Sequence, residues 1–550
     1  MDVTRENFLS YYSEVLEKIK ECTFIAFDTE FTGLLDDGIK EDWLDTPSER
    51  YEKLKQGTSQ FLIMQFGLCL FTKITATKYT AQPYNFFLFP GNPTPGTGDV
   101  RFLCQASSIK FLTEHNFDFN KWVREGVYFL SKPEAKKYDE FKQRMEDRKS
   151  NRVEVTDPED QAFVANVKEQ IDALLSNPKT PGIEVECVNS YKRKLVYQVV
   201  DDNFIDSQLI VYITDKDKIL AVKKPTSKLL KDRERKQQEK RNEEIKYKGF
   251  LHIIEALVES GKLLVGHNCL LDILHTYRQF LSPLPDTFDE FKTILRSTFP
   301  KLIDTKLIGS TDPVKPLIPS THLGDAFSTV CNPQSGFPKV EVKLPRKCNS
   351  KNTPHTAWYD AYMTGVCFAT YNAFLESQLK TPEEKPGSFL AEFPVMNPFL
   401  NRIFFLFSND MTYIDLAAPD VIPDRSHVFH LTFDSSVQAR DIYGLFSPFG
   451  RIGINWLCKT SAFVTLTDKT KSEDCFKAMK LSSLLADKPF TVQTYKQFQN
   501  VKREVQGVDT TRSEEKRKLE VSSKDSNTSN VEEKLESVPK KTKLFDEGDW

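Results

Sequence analysis

The stretch FIAFDTEF, residues 24–31, ends an otherwise apolar run with two carboxylates, Asp28 and Glu30. Side chains alternate faces along a strand, so these two point the same way, about 6–7 Å apart. Two anions so placed on a buried strand repel each other unless cations sit between them. A divalent metal site is the simple remedy, and an Asp-x-Glu at a strand end facing water is the plain alternative. Other positions also set acids or a base at element ends. Asp272 falls in the first turn of a helix that follows the turn GHN (266–268), and Asp360 opens a helix with His355 five residues before it. A lone Asp near a helix start usually caps the helix or meets its dipole. Four acids and one histidine, each at an element end with apolar surroundings, point together to one site.

The elements that must position them follow from periodicity. Residues 5–20 predict an amphipathic helix, and FLIMQFGLCLFT (61–72) and YNFFLFP (84–90) read as buried strands. With 24–31 they suggest one sheet begun by a meander. Residues 107–130 look helical, and 133–157 look like a surface helix and loop. A composition shift at Asp157-Pro158 opens a module of about 70 residues, a plausible small domain. It holds helix 163–175, strand IEVECV, the basic-apolar element SYKRKLVYQVV (190–200), and strands QLIVYIT and KILAVKK. A charge-dense helix, 228–248, reads as a solvated connector or a nucleic-acid-contacting face. The sheet pattern then resumes with helix 250–260, strand 261–268, helix 269–280, strand KLIDTKLIG (301–309), a loop over 311–353 and helix 359–377. The small module is therefore an insertion in a larger α/β domain.

After Pro423 the elements HVFHLTF, helix 436–448, RIGINWL, TSAFVTL, helix 472–480 and PFTVQTY spell β-α-β-β-α-β, the order of a ferredoxin-like sandwich. The last fifty residues lack periodicity and read as disordered. Their short basic clusters, KRK (516–518) and PKKTK (539–543), are either nuclear addresses or ordinary solvated lysines.

Composition narrows the classes. The chain has 550 residues, with 75 Lys and Arg against 78 Asp and Glu, so any polyanion must be met by local patches. Ten scattered cysteines form no CxxC pair, which suggests a reducing compartment and excludes a zinc or disulfide framework. No apolar run of membrane-spanning length occurs and the opening MDVTRENF is no leader, so neither secretion nor a membrane anchor is expected. The 42 phenylalanines fill cores or offer stacking surfaces for bases.

Asp28-x-Glu30 on a first strand, an Asp preceded by GHN-x-x-x, and a final His-x-x-x-x-Asp resemble the three exonuclease motifs of the DEDD superfamily, histidine subtype. With DTPSERYEKLK, FLIMQFGLCLF, KLLVGHNCLLDILHT, FPKLIDTKL and YDAYMTG, the chain to about residue 500 is similar to the deadenylase branch, the poly(A)-specific ribonucleases. The resemblance implies a ribonuclease H-like α/β exonuclease domain with a mixed sheet, in parts 1–157 and 227–400. It also implies an inserted Arg-x-x-x-His-type single-strand-binding domain (158–226), a linker (401–425), an RNA-recognition motif (426–498) and a disordered tail (499–550).

The implied chemistry is 3′-to-5′ removal of poly(A) with release of 5′-AMP. Two Mg²⁺ ions about 4 Å apart would clamp the attacking and leaving oxygens. Asp28 would touch both ions, Glu30 and Asp360 would complete the first, Asp272 would hold the second, and His355 would act as general base. Phe31, next to the acids, is placed to stack a terminal base, with a core phenylalanine as its default reading, and the resemblance implies a poly(A) contact by Lys306, which by its position alone is a strand-end lysine. It implies a 5′ methylguanosine cap contact by Trp456, with half-buried packing as the lesser alternative. A homodimer and residence in nucleus and cytoplasm are carried over in the same way. Two features depart from the pattern. The inserted module has Arg193 but Tyr197 where the histidine would stand, leaving Lys192, Arg193 and Lys194 for phosphates. The RNA-recognition motif keeps Phe429 and Phe463 but has Ser461 at the third aromatic position, which leaves Trp456 as the platform. The rival readings are a small-RNA 3′-end trimming exonuclease and a catalytically inert RNA-binding scaffold.

Overall fold

The computed structural model describes residues 1–501 except 35–40, 92–98, 151, 205–208, 215–218, 225–226, 346–347, 349–353, 380–389, 409 and 486–489. Two compact units result, Met1–Ile422 and Pro423–Trp550.

In the first unit, β1 (Asp2–Val3) and α1 (Phe8–Glu21) precede β2 (Phe24–Phe31). α1 buries Phe8, Val15 and Ile19, the stripe that its periodicity predicts. α2 (Pro47–Thr58) starts on a capping box between Thr46 and Glu49, with Pro47 in its first turn. β3 (Ile63–Thr75) and β4 (Lys78–Phe87) complete an antiparallel meander with β2. The expected helical stretch 107–130 is two short helices, α3 (Ala106–Glu114) and α4 (Phe119–Glu125). Asn116 at φ +60° breaks it, and Asp118 caps the second piece.

α5 (Lys132–Ser150) is followed by α6 (Pro158–Ser176), β5 (Gly182–Glu186), α7 (Ser190–Asn203), β6 (Ile210–Ile213) and β7 (Ile219–Lys223). The last three strands form their own sheet, β5-β7-β6, over a cluster that includes Val167, Ile171, Val196 and Val222. The basic-apolar element is therefore the helix α7. Lys192, expected to meet phosphates, is spent on Asp160 at 2.5 Å.

α8 (Ser227–Lys248), α9 (Leu251–Ser260), β8 (Leu263–Gly266), α10 (Leu270–Thr276), a wide π-turn (Tyr277–Leu281) and α11 (Phe288–Thr298) lead to β9 (Leu302–Asp304). The strand expected over 301–309 stops there. The Asp304 side chain accepts the N–H of Lys306 and starts α12 (Thr305–Gly309), so Lys306 sits on a helical turn. The loop expected at 311–353 contains α13 (Leu323–Cys331) and β10 (Glu341–Lys343). α14 (Ala357–Ser377) follows, and residues expected as a linker supply β11 (Arg402–Phe404) and β12 (Tyr413–Asp415).

Among the described residues the main sheet has nine strands, in the order β1-β4-β3-β2-β8-β9-β11-β12 with β10 beside β4. The strands β2, β8, β9 and β11 run parallel while β2, β3 and β4 alternate, so the sheet is mixed. One face packs on α1, α9, α10 and α11 through residues such as Phe27, Phe66, Phe250 and Leu295. The other packs on α13 and α14 through Phe24, Phe71, Val366 and Phe368. No helix among the described residues is long and apolar enough to cross a membrane.

The second unit comprises β13 (Val428–Phe433), α15 (Ala439–Phe446), β14 (Ile452–Cys458), β15 (Ser461–Leu466), α16 (Ser472–Leu485) and β16 (Phe490–Thr494). Its antiparallel sheet runs β14-β15-β13-β16, the expected ferredoxin-like order. Phe429 faces inward and is fully buried against Phe446 and Phe476, so it is no displayed base-stacking residue. On the opposite face Phe463 and His430 meet Phe498, from the helical residues 495–501, at ring separations of 5.2 and 4.2 Å. The tail 502–550, with both basic clusters, lies outside the described residues.

Candidate active site

β2 pairs β3 along its whole length but pairs β8 only through Phe24–Ala26. Asp28 to Phe31 therefore run past the carboxyl end of a parallel neighbour, the place where open α/β sheets bind ligands. A register shift between Glu30 and Phe31 lies beside the two acids, and such bulges re-aim side chains next to active sites.

Asp360 reaches them because α14 docks on the residues opposite. Gly67 pairs with Asp28, and a Cβ on it would lie 2.0 Å from the Ala357 carbonyl and 2.4 Å from the Trp358 nitrogen. Gln65 pairs with Glu30, and its Oε1 accepts the Ala357 N–H at 3.0 Å. The two cross-strand neighbours of Asp28 and Glu30 thus seat the helix that brings the third acid. As a result Asp28, Glu30 and Asp360 each place an oxygen within 4.8 Å of the others.

Asp272 comes from the other face of β2. Thr29 lies between the two acids and points the opposite way, and its hydroxyl donates to Asp272 Oδ1 at 2.5 Å. The preceding turn is fixed by Asp304, fully buried, which accepts N–H groups from Asn268 (2.9 Å), Cys269 (3.3 Å), Lys306 (2.9 Å) and Phe404 (3.1 Å). Sequence reasoning missed both Thr29 and Asp304. The signal for Asp304 was present, since an Asp-Thr that follows the apolar pair Leu302-Ile303 and precedes a further apolar stretch is a helix N-cap pattern. For Thr29 there was none.

Burial drives Asp28 and Glu30 well above the carboxylate range, and Asp360 and Asp272 push both further. Burial raises Asp360 to about 7, opposed by the His355 N–H and by His115. Burial also raises Asp272 to about 6, opposed by the Thr29 hydroxyl. These acids hold protons more tightly folded than unfolded. Between the unfolded values near 4 and the folded values of 6 to 7, raising pH strips protons that favour the folded chain. Metal-free protein should therefore lose thermal stability from pH 5 to pH 8. A divalent cation at a hundredfold excess over its Kd should restore about 3 kcal/mol, or about 5–10 °C, at pH 8. Calorimetric scans with chelator or with Mg²⁺ at both pH values check this.

His355 meets the cluster through its backbone, its N–H lying 3.4 Å from Asp360 Oδ1, at φ +65°. Its imidazole stands edge-on to His115 at 4.0 Å and to Phe111 at 5.0 Å, and burial with His115 holds it below its usual pKa. Nothing in local spacing announced His115, which comes from the end of α3. Phe31 lies on Thr29's side of the strand, half-buried, with its ring on the His275 imidazole at 4.5 Å. The ammonium of Lys306 lies 5.4 Å from the Phe404 ring centroid. In the second unit Trp456 is 42% exposed and meets Phe433 edge-on at 5.5 Å, so it is open to a ligand.

Residues 3–368 match the CAF1 family of ribonucleases. The chain belongs to this family. Residues 418–501 match an RNA-binding domain, which fits the second unit. The poly(A)-specific ribonuclease PARN of Homo sapiens is 34% identical over 92% of this chain and 81% of its own length. The pre-piRNA 3′-exonuclease trimmer of Bombyx mori is 28% identical over 84% of this chain and 88% of its own. The S. pombe Pop2p structure, solved with Mg²⁺ and Mn²⁺, aligns over 67% of this chain and 90% of its own at 15% identity and a TM-score of 0.31, too loosely to place residues. This CAF1-family ribonuclease thus acts on RNA, with an all-oxygen carboxylate cluster suited to divalent metal.

Proposed function

We propose that this CAF1-family ribonuclease is a Mg²⁺-dependent 3′-to-5′ exoribonuclease that removes poly(A) tails and releases 5′-AMP. The observation that carries the reading is the convergence of Asp28, Glu30 and Asp360 within 4.8 Å, with Asp272 held against the same strand by Thr29. The similarity to poly(A)-specific ribonucleases supports the choice of RNA.

The residues fit hard divalent cations: Asp28, Glu30 and Asp360 all offer carboxylate oxygens, among the described residues no thiolate or imidazole joins the cluster, and the crowded acids need countercharge. Asp28, Glu30 and Asp360 would hold one ion and Asp272 with Asp28 a second. Bound there, the ions would supply Lewis-acid polarisation of the scissile phosphate and countercharge for the leaving oxygen. The chain's own residues do the rest. Gly67 and Gln65 hold α14 so that Asp360 faces Asp28. Thr29 fixes the Asp272 rotamer. His355 accepts the proton of the attacking water at an imidazole nitrogen, and its low pKa keeps that nitrogen free at neutral pH. Lys306, carried past β9 toward the same sheet end, meets the substrate's phosphates, and Phe31 bears on the terminal base from the Thr29 side.

Trp456 takes the 5′ methylguanosine cap, because an open Trp face suits a positively charged ring. Trp456→Ala should weaken binding of a methylguanosine cap analogue about tenfold, measured by fluorescence titration. The enzyme works as a homodimer, in nucleus and cytoplasm.

A denaturing-gel time course tests the main reading, with 5′-labelled RNA ending in adenosines or in uridines, with Mg²⁺ or with chelator. A one-nucleotide ladder that stops at the end of the adenosine tail and disappears with chelator supports it. Equal shortening of both RNAs discards the poly(A) preference, and no metal-dependent shortening leaves only a binding protein.

A further inference from the structure

Trp43, in the segment between β2 and α2, and Phe407, just beyond β11, meet edge to face at 5.7 Å while remaining 46% and 45% exposed. They lie far apart in the chain, and one buried guanidinium holds them together. Arg50, 2% exposed, donates from Nε to Asp45 Oδ2 (3.0 Å), from Nη1 to Glu41 Oε1 (3.1 Å) and the Leu406 carbonyl (2.6 Å), and from Nη2 to the carbonyls of Asp42 (3.0 Å) and Phe407 (3.2 Å). The fork has five N–H donors, and all five are used. Both ring-bearing segments are thereby clamped. Phe407 is also held at φ +52°, a conformation rare for a bulky side chain and persistent only where the surroundings over-determine it. A clamped pair of rings, one of them on strained backbone, left open to water is not explained by core packing.

Their place in the sheet shows what they face. Strands β2, β8, β9 and β11 are parallel neighbours, so the segments after them emerge at one sheet end. Asp28 and Glu30 end β2, Lys306 follows β9, and Phe407 follows β11, three strand spacings or about 14 Å from β2. Lys306, over the Phe404 ring, lies along this row between the acids and the pair. Of the acids beside the pair, Glu41 is engaged on Arg50, Asp45 on Arg50 and Lys53, and Asp42 accepts the Leu44 N–H. What Trp43 and Phe407 themselves offer is aromatic, and suits the face of a base rather than a phosphate.

We propose that Trp43 and Phe407 form a stacking platform for a base of the single-stranded RNA upstream of the nucleotide being removed, reached across Lys306. The proposal rests on the exoribonuclease reading of the carboxylate site. A base on the platform adds affinity only when the strand is long enough to span from the acids, so the platform sets how substrate length is read.

Steady-state kinetics of the full chain on a long oligoadenylate and on a triadenylate test it. The variants are Trp43→Ala, Trp43→Phe and Phe407→Gly, the last of which relieves the positive φ and so does not threaten the fold. Stacking lost from one base should raise KM for the long substrate about tenfold, with kcat and the triadenylate constants unmoved, and Trp43→Phe should restore most of the loss. Variants indistinguishable from wild type on the long substrate, or equally impaired on both lengths, overturn the platform and leave the pair to a protein partner or to structure alone. Wild-type protein that shortens neither substrate overturns the exoribonuclease reading itself, a separate result.

Discussion

Asp28→Asn should abolish RNA shortening, by about a thousandfold or more, and at the same time make the metal-free protein more resistant to heat. Both effects have one cause. Burial, and then the charges of Asp360, Asp272 and Glu30, raise the pKa of Asp28, so in the absence of cations its carboxylate is a source of strain. Replacing the carboxylate with an amide of nearly the same shape removes one like charge and relieves that strain. The same replacement removes the donor shared by both proposed ions, and with it several kcal/mol of charge stabilisation in the transition state. A buried Asp kept for structure alone would behave differently, since its loss would lower stability without a special effect on rate. Single-turnover shortening of an adenosine tail and calorimetric scans in chelator, run on the same two preparations, separate the cases. The midpoint gained on adding Mg²⁺ should also shrink in the variant.

Gly67→Ala should be nearly as damaging, although the residue carries no functional group. The added Cβ would lie 2.0 Å from the Ala357 backbone, and backbone cannot rotate aside as a flexible side chain can. The N-terminus of α14 must lift, taking Asp360 away from Asp28 and breaking the Gln65 contact to Ala357. Overpacking of this kind costs about 3 kcal/mol. Displacing a catalytic group by about 1 Å costs about a hundredfold in rate. Urea unfolding would read the first effect and single-turnover kinetics the second. Gly444→Ala is the control, because a Cβ there meets nothing within 4 Å, and it should leave activity unmoved. A Gly67→Ala protein with wild-type rate would show that α14 does not need this close approach.

Much of this architecture can be read from the chain because its patterns are local. β2 and most of β3 are long apolar runs, β4 shows one at its C-terminal end, and the second unit spells its strand and helix order in sequence. The trio of acids is legible because Asp28 and Glu30 share a strand face and Asp360 falls in a helix's first turn. What was not legible depends on contacts between distant segments. KLIDTKLIG reads as one strand, and what ends the strand early is the fold around the Asp304 side chain, which accepts four N–H groups from three segments. Thr29 points away from the acids yet anchors Asp272, a link visible only once α10 is placed. His115 meets His355 from a helix more than two hundred residues earlier in the chain. Phe429 is misread for a related reason. Alternation says that residues 428 to 433 have two faces but not which one is inside, and the register with β15 and the packing on α16 put Phe429 inside and His430 out.

The central claim is that Asp28, Glu30, Asp272 and Asp360 hold divalent cations that the RNA-cleaving reaction requires. It is tested most directly by measuring cation binding and tail shortening in one titration, with Mg²⁺ added to chelator-treated wild type and Asp28→Asn. The account predicts two ions bound per wild-type chain, shortening that rises with their occupancy, and loss of both in the variant. Shortening that proceeds in chelator, or a variant that binds the same ions and cleaves as before, would contradict it.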